Sequence, residues 1–342
     1  MLGYHVLDFG MNPLNMFAKA KKNEAKCIQI FGRSPRSKGN VFEESKIYIN
    51  SLSILNDIEE EEKKKEGDDE EKEKETEGEE EGETEGEEEE KKKEDNWESE
   101  MRDKFYTLNK ENIPVFMHDT YTHIFTSSAF NIKSIKTIAH DAMIASAFSS
   151  KCGIDTGIVI HPGYYVNKNE DFSIKKASAN IVKTVEYMDK EKMADNCKIF
   201  MENMEGSNGK IKLCNNPSCM KKMVKTIKIK LGEKMSDRIG ICFDTCHAFM
   251  TDNYLNAETM TDLIKKYDAM ITNHSIGIIH LNDAVDNIKE KHEVPFEGVV
   301  DRTALIAAMK FANDNNKPMI CELTHFEGDM RKLLKKILKT TE

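Results

Sequence analysis

Eight short apolar segments, separated by longer amphipathic ones, constrain this chain more than any other feature. The short segments fall at 3–7, 26–31, 113–117, 157–160, 198–201, 238–243, 275–279 and 318–321. Their length and near-continuous apolar character suit strands covered on both faces. Between them, helices are expected at 14–22, 128–149, 173–188, 218–230, 257–267 and 301–313, with a final one at 329–339. Strands that alternate regularly with helices imply parallel pairing, and eight of them close into an α/β barrel of the (β/α)8, or TIM, type. The chain of 342 residues is long enough to hold that barrel as a single domain over 1–342.

The excess length sits in an acidic segment between the second and third strands. From Asp57 to Glu100, 26 acidic and 8 basic residues give a net charge of −18, so the remainder stands at +7 although the whole chain is at −11. Glu75-Thr76-Glu77-Gly78 recurs as Glu83-Thr84-Glu85-Gly86. The low-complexity stretch 57–97 has too little apolar surface to offset the entropy of ordering, and is expected to be a disordered insertion within one domain. The basic excess elsewhere permits a polyanionic partner. Eight cysteines, with no apolar leader after Met1, suggest reduced thiols and an intracellular protein, nucleus or cytoplasm being left open. No apolar run approaches the roughly 20 residues that cross a bilayer, so a soluble chain with no membrane partner is expected.

Chemistry concentrates at the strand ends. Seven of the eight segments carry or are followed by a residue suited to metal binding or catalysis: His5, His118, His161, Glu202, Asp244, His280 and Glu322; the second is followed by Arg33 and Arg36. The C-terminal ends of barrel strands converge on one rim, so these residues meet in one pocket. A single histidine there reads more simply as a structural residue, but so many imidazoles and carboxylates would be costly to desolvate without a shared partner. His247 follows Asp244 by three residues, and Glu290 and His292 alternate in the loop after His280. With His118, His161, Glu202, Asp244, His280 and Glu322 they make nine candidate ligands. One zinc ion takes about four, so two or three metals with a bridging carboxylate are expected.

The stretches Phe116-Met117-His118-Asp119-Thr120-Tyr121, Ile160-His161-Pro162-Gly163, Met201-Glu202-Asn203, Phe243-Asp244-Thr245-Cys246-His247-Ala248-Phe249, Ile279-His280-Leu281-Asn282-Asp283 and Cys321-Glu322 resemble the endonuclease IV class of apurinic/apyrimidinic endonucleases, in family order. The resemblance implies a TIM barrel with three zinc ions that incises double-stranded DNA on the 5′ side of abasic sites. It implies that His118 and His161 hold the first ion, that Glu202 bridges to the second, and that Asp244, His280 and Glu322 complete the second. His247, Glu290 and His292 would hold the third, where the family pattern Asp-Arg-His reads Glu290-Lys291-His292. Arg36 and Tyr121 would contact DNA at the lesion, with Thr122 where the family has an apolar wedge, and His5 would line the pocket behind the ligands. A monomer is expected.

Other signals carry less. Cys214 and Cys219 lack partner ligands and read as free thiols in a helix-capping loop. Cys242 is expected to face away from Asp244's immediate neighbours by strand alternation, and Cys246 to pack beneath the turn. His123, His140, His274 and His325 lack a matching context. The rival reading is a metal-dependent sugar isomerase or epimerase on the same barrel, which would have no need of His247, Glu290 and His292.

Overall fold

The computed structural model describes residues 1–6, 13–31, 105–194, 196–206, 211–232, 238–252, 255–272, 274–288, 291–323 and 328–340. Eight strands form a closed parallel barrel: β1 (Leu2–Val6), β2 (Ile28–Phe31), β3 (Val115–His118), β4 (Thr156–Ile160), β5 (Cys197–Glu202), β6 (Ile239–Asp244), β7 (Ile276–His280) and β10 (Met319–Cys321). Neighbours in sequence are neighbours in space, and β1 closes the ring by pairing with both β2 and β10. The acidic stretch 57–97 falls between β2 and β3, as expected, and lies outside the described residues.

The strands form where continuous apolar runs are covered on both faces. Outward residues pack under the helices in the large core, while Cys27, Phe116, Val159, Phe200, Cys242, Ile278 and Ile320 fill the barrel interior as a separate cluster. Phe200 spans that interior because its neighbours are small. A Cβ on Gly240 would come 2.6 Å from the Phe200 ring, and one on Gly277 would come 2.2 Å from it.

The seven expected helices are present at Pro13–Lys22, Ile132–Phe148, Glu170–Lys190, Pro217–Leu231, Ala257–Asp268, Arg302–Asp314 and Met330–Lys339. Asn131, Asn169, Asn216, Asn256, Asp301 and Asp329 cap six of them, each side chain accepting from backbone N–H groups of the first turn. The helix expected from 128 starts later because Asn131 supplies the cap. Beyond the sequence-based expectation lie the short helix Thr245–Thr251 and a two-stranded antiparallel pair of β8 (Asp283–Ala284) and β9 (His292–Glu293). Both sit on the C-terminal rim. Among the described residues no helix is long and apolar enough to cross a membrane.

Candidate metal centre

Strand periodicity carries the interior cluster directly into the site. Residues two apart on a strand share a face. One step beyond Cys27, Phe116, Val159, Phe200, Cys242, Ile278 and Ile320 lie Gln29, His118, His161, Glu202, Asp244, His280 and Glu322. The apolar layer is the floor, and the polar layer above it is the candidate centre. Cys242 therefore shares the inner face with Asp244, and it forms a possible donor group with Glu202 and His280. Its setting aside on strand alternation is corrected by this placement. Burial pushes its thiol up to about 12, which keeps it neutral at ordinary pH.

Donor atoms within 4.8 Å of one another define three further groups: His118, His161 and Glu202; Glu202, Asp244, His280 and Glu322; and Asp244, His247 and His292. Eight of the nine expected ligands are thus brought together. Glu290 lies outside the described residues, as do Arg33, Arg36 and His325. Asp244, expected in the second set alone, also joins the third. The reason is local: Asp244 caps the helix Thr245–Thr251, its Oδ1 accepting from His247 N at 2.7 Å, while its Oδ2 accepts from Asn282 Nδ2 at 2.6 Å. The three-residue spacing of Asp244 and His247 is therefore the spacing of a helix N-cap and its first turn.

Hydrogen bonds to atoms around the centre set the histidine tautomers. His118 Nδ1 lies 2.7 Å from the Asp119 carbonyl oxygen, which can only accept, so Nε2 keeps a lone pair. That lone pair faces Glu202 Oε2 at 3.6 Å, and His161 Nε2 approaches the same oxygen at 3.0 Å. His247 Nδ1 donates to Asn203 O at 2.9 Å and lies 3.1 Å from Glu202 Oε1, which leaves its Nε2 as the lone-pair nitrogen. For His280 the decisive residue is Gln29. Its Nε2 donates to Glu322 Oε1 at 2.7 Å, which turns its Oε1 to accept from His280 Nε2 at 2.9 Å. His280 Nδ1 then faces Glu202 Oε1 and Glu322 Oε2, both at 3.2 Å, and Asp244 Oδ2 at 3.8 Å.

Lone pairs and carboxylate oxygens that converge in this way form groups able to hold a metal cation. Glu202 Oε2 and His292 Nε2 are buried with no hydrogen-bond partner of good geometry. Imidazole and carboxylate donors, each steadied by a carbonyl or amide behind it, suit zinc or a neighbouring first-row divalent ion. The electrostatics agree. Burial pushes the His280 imidazole down, but the Glu322 and Glu202 carboxylates outweigh it and hold its pKa well above the ordinary value. The His118 pKa is likewise raised against burial by Glu202 and Glu322. Burial works against ionisation of Glu202 and Glu322, yet the surrounding histidines hold both carboxyls well below the usual range.

His5 lies behind Glu322, its Nδ1 3.4 Å from Oε1, and burial depresses its pKa to about 4, so it stays neutral. Tyr121 stands on the rim with 53% of its surface exposed, its ring centroid 5.3 Å from His161 and 5.7 Å from His118. Asn282, fully buried, donates to Asp244 Oδ2 and Glu322 Oε2 and accepts from Glu322 N at 2.8 Å. Gln29, Asn203 and Asn282 have no role that sequence reasoning alone assigns. Inward parity within β2 is the signal for Gln29, and the motif positions beside Glu202 and His280 are the signal for the other two. Cys214 and Cys219 are buried free thiols at the start of the helix Pro217–Leu231, as expected.

The sequence pattern of the xylose isomerase-like TIM barrel family matches residues 87–340. The chain belongs to this family. Curated relatives bear out the resemblance to endonuclease IV. A protein of Ureaplasma urealyticum named "Probable endonuclease 4" is 25% identical over 198 residues, covering 57% of this chain and 61% of the relative. One of the same name from Halothermothrix orenii is 23% identical over 240 residues, covering 68% and 79%. The chain spans about three-fifths of the length of the first of these. Among solved structures, endonuclease IV from Thermus thermophilus superposes with a TM-score of 0.62 at 15% identity, covering 99% of this chain and 98% of that one. A D-tagatose 3-epimerase-like protein superposes with a TM-score of 0.58, also at 15% identity, covering 99% and 96%. These superpositions speak to the fold alone.

Proposed function

We propose that this chain is a zinc-dependent DNA repair endonuclease that hydrolyses the phosphodiester 5′ to abasic sites in duplex DNA. The products would be a 3′-hydroxyl and a 5′-deoxyribose phosphate. The observation that carries the reading is the third donor group, Asp244 with His247 and His292, beside the two groups that share Glu202. A sugar isomerase or epimerase on this barrel uses one or two metals and has no need of it. The names of the curated relatives support the same reading.

In this account His118, His161 and Glu202 hold one zinc, Glu202, Asp244, His280 and Glu322 a second, and His247 and His292 a third, with Glu290 joining by resemblance. Bound zinc would activate water and offset negative charge on the scissile phosphate. The chain's own residues set the geometry. Glu202 presents Oε2 to His118 and His161 and Oε1 to His280, as a bridging carboxylate must. Asn203 fixes β6 beside it, accepting from Asp244 N at 2.7 Å and donating to Asp244 O at 3.0 Å. Tyr121 offers an exposed ring where bases lose stacking as the abasic sugar is turned toward the metals, and Arg36 serves the same region by resemblance.

Two substrates test the reading side by side: a duplex with one abasic site, and a ketohexose. Incision on the 5′ side of the lesion, with no epimerisation, is the expected result. Epimerisation without incision would replace the endonuclease reading with the sugar-enzyme one.

A further inference from the structure

One charged pair on the rim takes no part in the donor groups. Glu205 is buried just beyond β5, and its Oε1 pairs with Lys212 Nζ. Its Oε2 lies 3.9 Å from His247 Nε2. The Lys212 side chain is only 12% exposed, and its backbone is fixed from both sides. Tyr164 and Lys212 form an antiparallel bridge, Tyr165 N donates to Ile211 O at 2.8 Å, and Leu213 N donates to Gly163 O at 2.8 Å. The loops after β4 and β5 are thereby laced together. Lys212 also lines a small cavity of about 30 Å³ with Thr120, Tyr121, His123, His161 and Tyr164. His161, with 21% of its side chain exposed, is the most open of the histidines around Glu202.

We propose that Lys212, held by Glu205, is a phosphate-binding residue that grips the DNA backbone on the His161 side of the centre. The inference rests on the endonuclease reading. Glu205 accepts from the Lys212 ammonium and fixes where its charge sits on the rim. Glu205 stands between Lys212 and His247, so a cation bound on the His247 side would share its charge and leave more of the Lys212 charge for a phosphate. A lysine on a phosphate positions the strand without reading its sequence.

The simpler role for Lys212 is to neutralise a buried carboxylate, and Lys212→Gln alone would strand that charge. The comparison is therefore between Glu205→Gln and the double variant Glu205→Gln/Lys212→Gln, neither of which buries an unpaired carboxylate. Binding to an abasic duplex is measured against salt concentration, with zinc content recorded for each protein. Glu205→Gln should keep at least the wild-type salt slope. The double variant should lose about 0.9 from it, the share of one phosphate contact, with unchanged zinc content. Equal slopes in the two variants would overturn the inference while leaving the endonuclease reading intact. A wild-type protein that does not bind the duplex at all would overturn that reading, and this inference with it.

Discussion

Gln29 is the sharpest test of how this centre is built, because it bonds His280 and Glu322 while belonging to none of the donor groups. Its amide receives His280 Nε2–H at 2.9 Å and donates to Glu322 Oε1 at 2.7 Å, fully buried. Gln29→Leu keeps the volume roughly constant and removes both bonds. A hydrogen bond to a charged acceptor contributes about 1.5–3 kcal/mol, and a buried N–H left unsatisfied costs about 1–3 kcal/mol. Extra apolar burial from the leucine returns about 1–2 kcal/mol. The metal-free protein should therefore lose roughly 2–3 kcal/mol, read as a lower denaturant midpoint at unchanged slope. The effect on metal should be larger than this suggests. Without Gln29 the His280 ring loses the acceptor that points its Nδ1 lone pair at Glu202, Asp244 and Glu322, and such supporting residues are worth about 10–100-fold in affinity. Competition against a chromophoric chelator should show one zinc weakened by that factor. Wild-type affinity for every zinc would refute the argument that Gln29 sets the His280 tautomer.

Glu202→Ala should lower turnover on an abasic duplex by at least about 100-fold while changing duplex affinity far less; normal cleavage would remove Glu202 from its bridging role. The metal-free protein should lose stability as pH rises above 6.5. His118 and His280 have folded pKa values raised above the ordinary one, so their contribution is complete below 6.5 and is lost as pH climbs through the raised values. His5 and His161, shifted downward, are neutral in the folded protein but still half protonated in the unfolded chain at 6.5, so they blunt the loss just above 6.5 and add no slope from about 7.5 upward. Zinc affinity at the two sites that include His118 and His280 should rise over the same window, because binding there displaces those protons; thermal melts of chelated protein that stay flat from pH 6.5 to 8 would contradict this. Asp283→Ala should destabilise by about 3–5 kcal/mol. The Asp283 carboxylate gathers the backbone N–H groups of Ala284, Phe296, Gly298 and Val300. Denaturation at unchanged zinc content is the check, and a loss under 1 kcal/mol would show that solvent replaces those bonds.

The barrel is legible in the sequence because its signal is repetitive: each apolar run ends where a polar side chain must face either the pocket or solvent. His118, His161, Glu202, Asp244, His280 and Glu322 follow from that, since strand parity and a shared rim leave them few other places. The helix Thr245–Thr251 is hard to see because it spans only seven residues, and its cap, Asp244, reads in sequence as a ligand alone. Gln29 is hidden because the conspicuous residues near β2 are Arg33 and Arg36 beyond its end, whereas Gln29 points inward from within the strand. Lys212 and Glu205 lie beyond sequence reasoning on other grounds. Their meeting depends on how the loops after β4 and β5 pair, and no local periodicity encodes that.

The central claim is that three groups of donors on one rim hold the metals that cut DNA. Zinc content and incision of a duplex bearing a single abasic site, followed together through chelation and stepwise zinc return, test it most directly. The account predicts three zinc ions per chain, loss of 5′-side incision on chelation, and its recovery as zinc is restored. Fewer than two zinc ions, or no incision with the full complement bound, would contradict it.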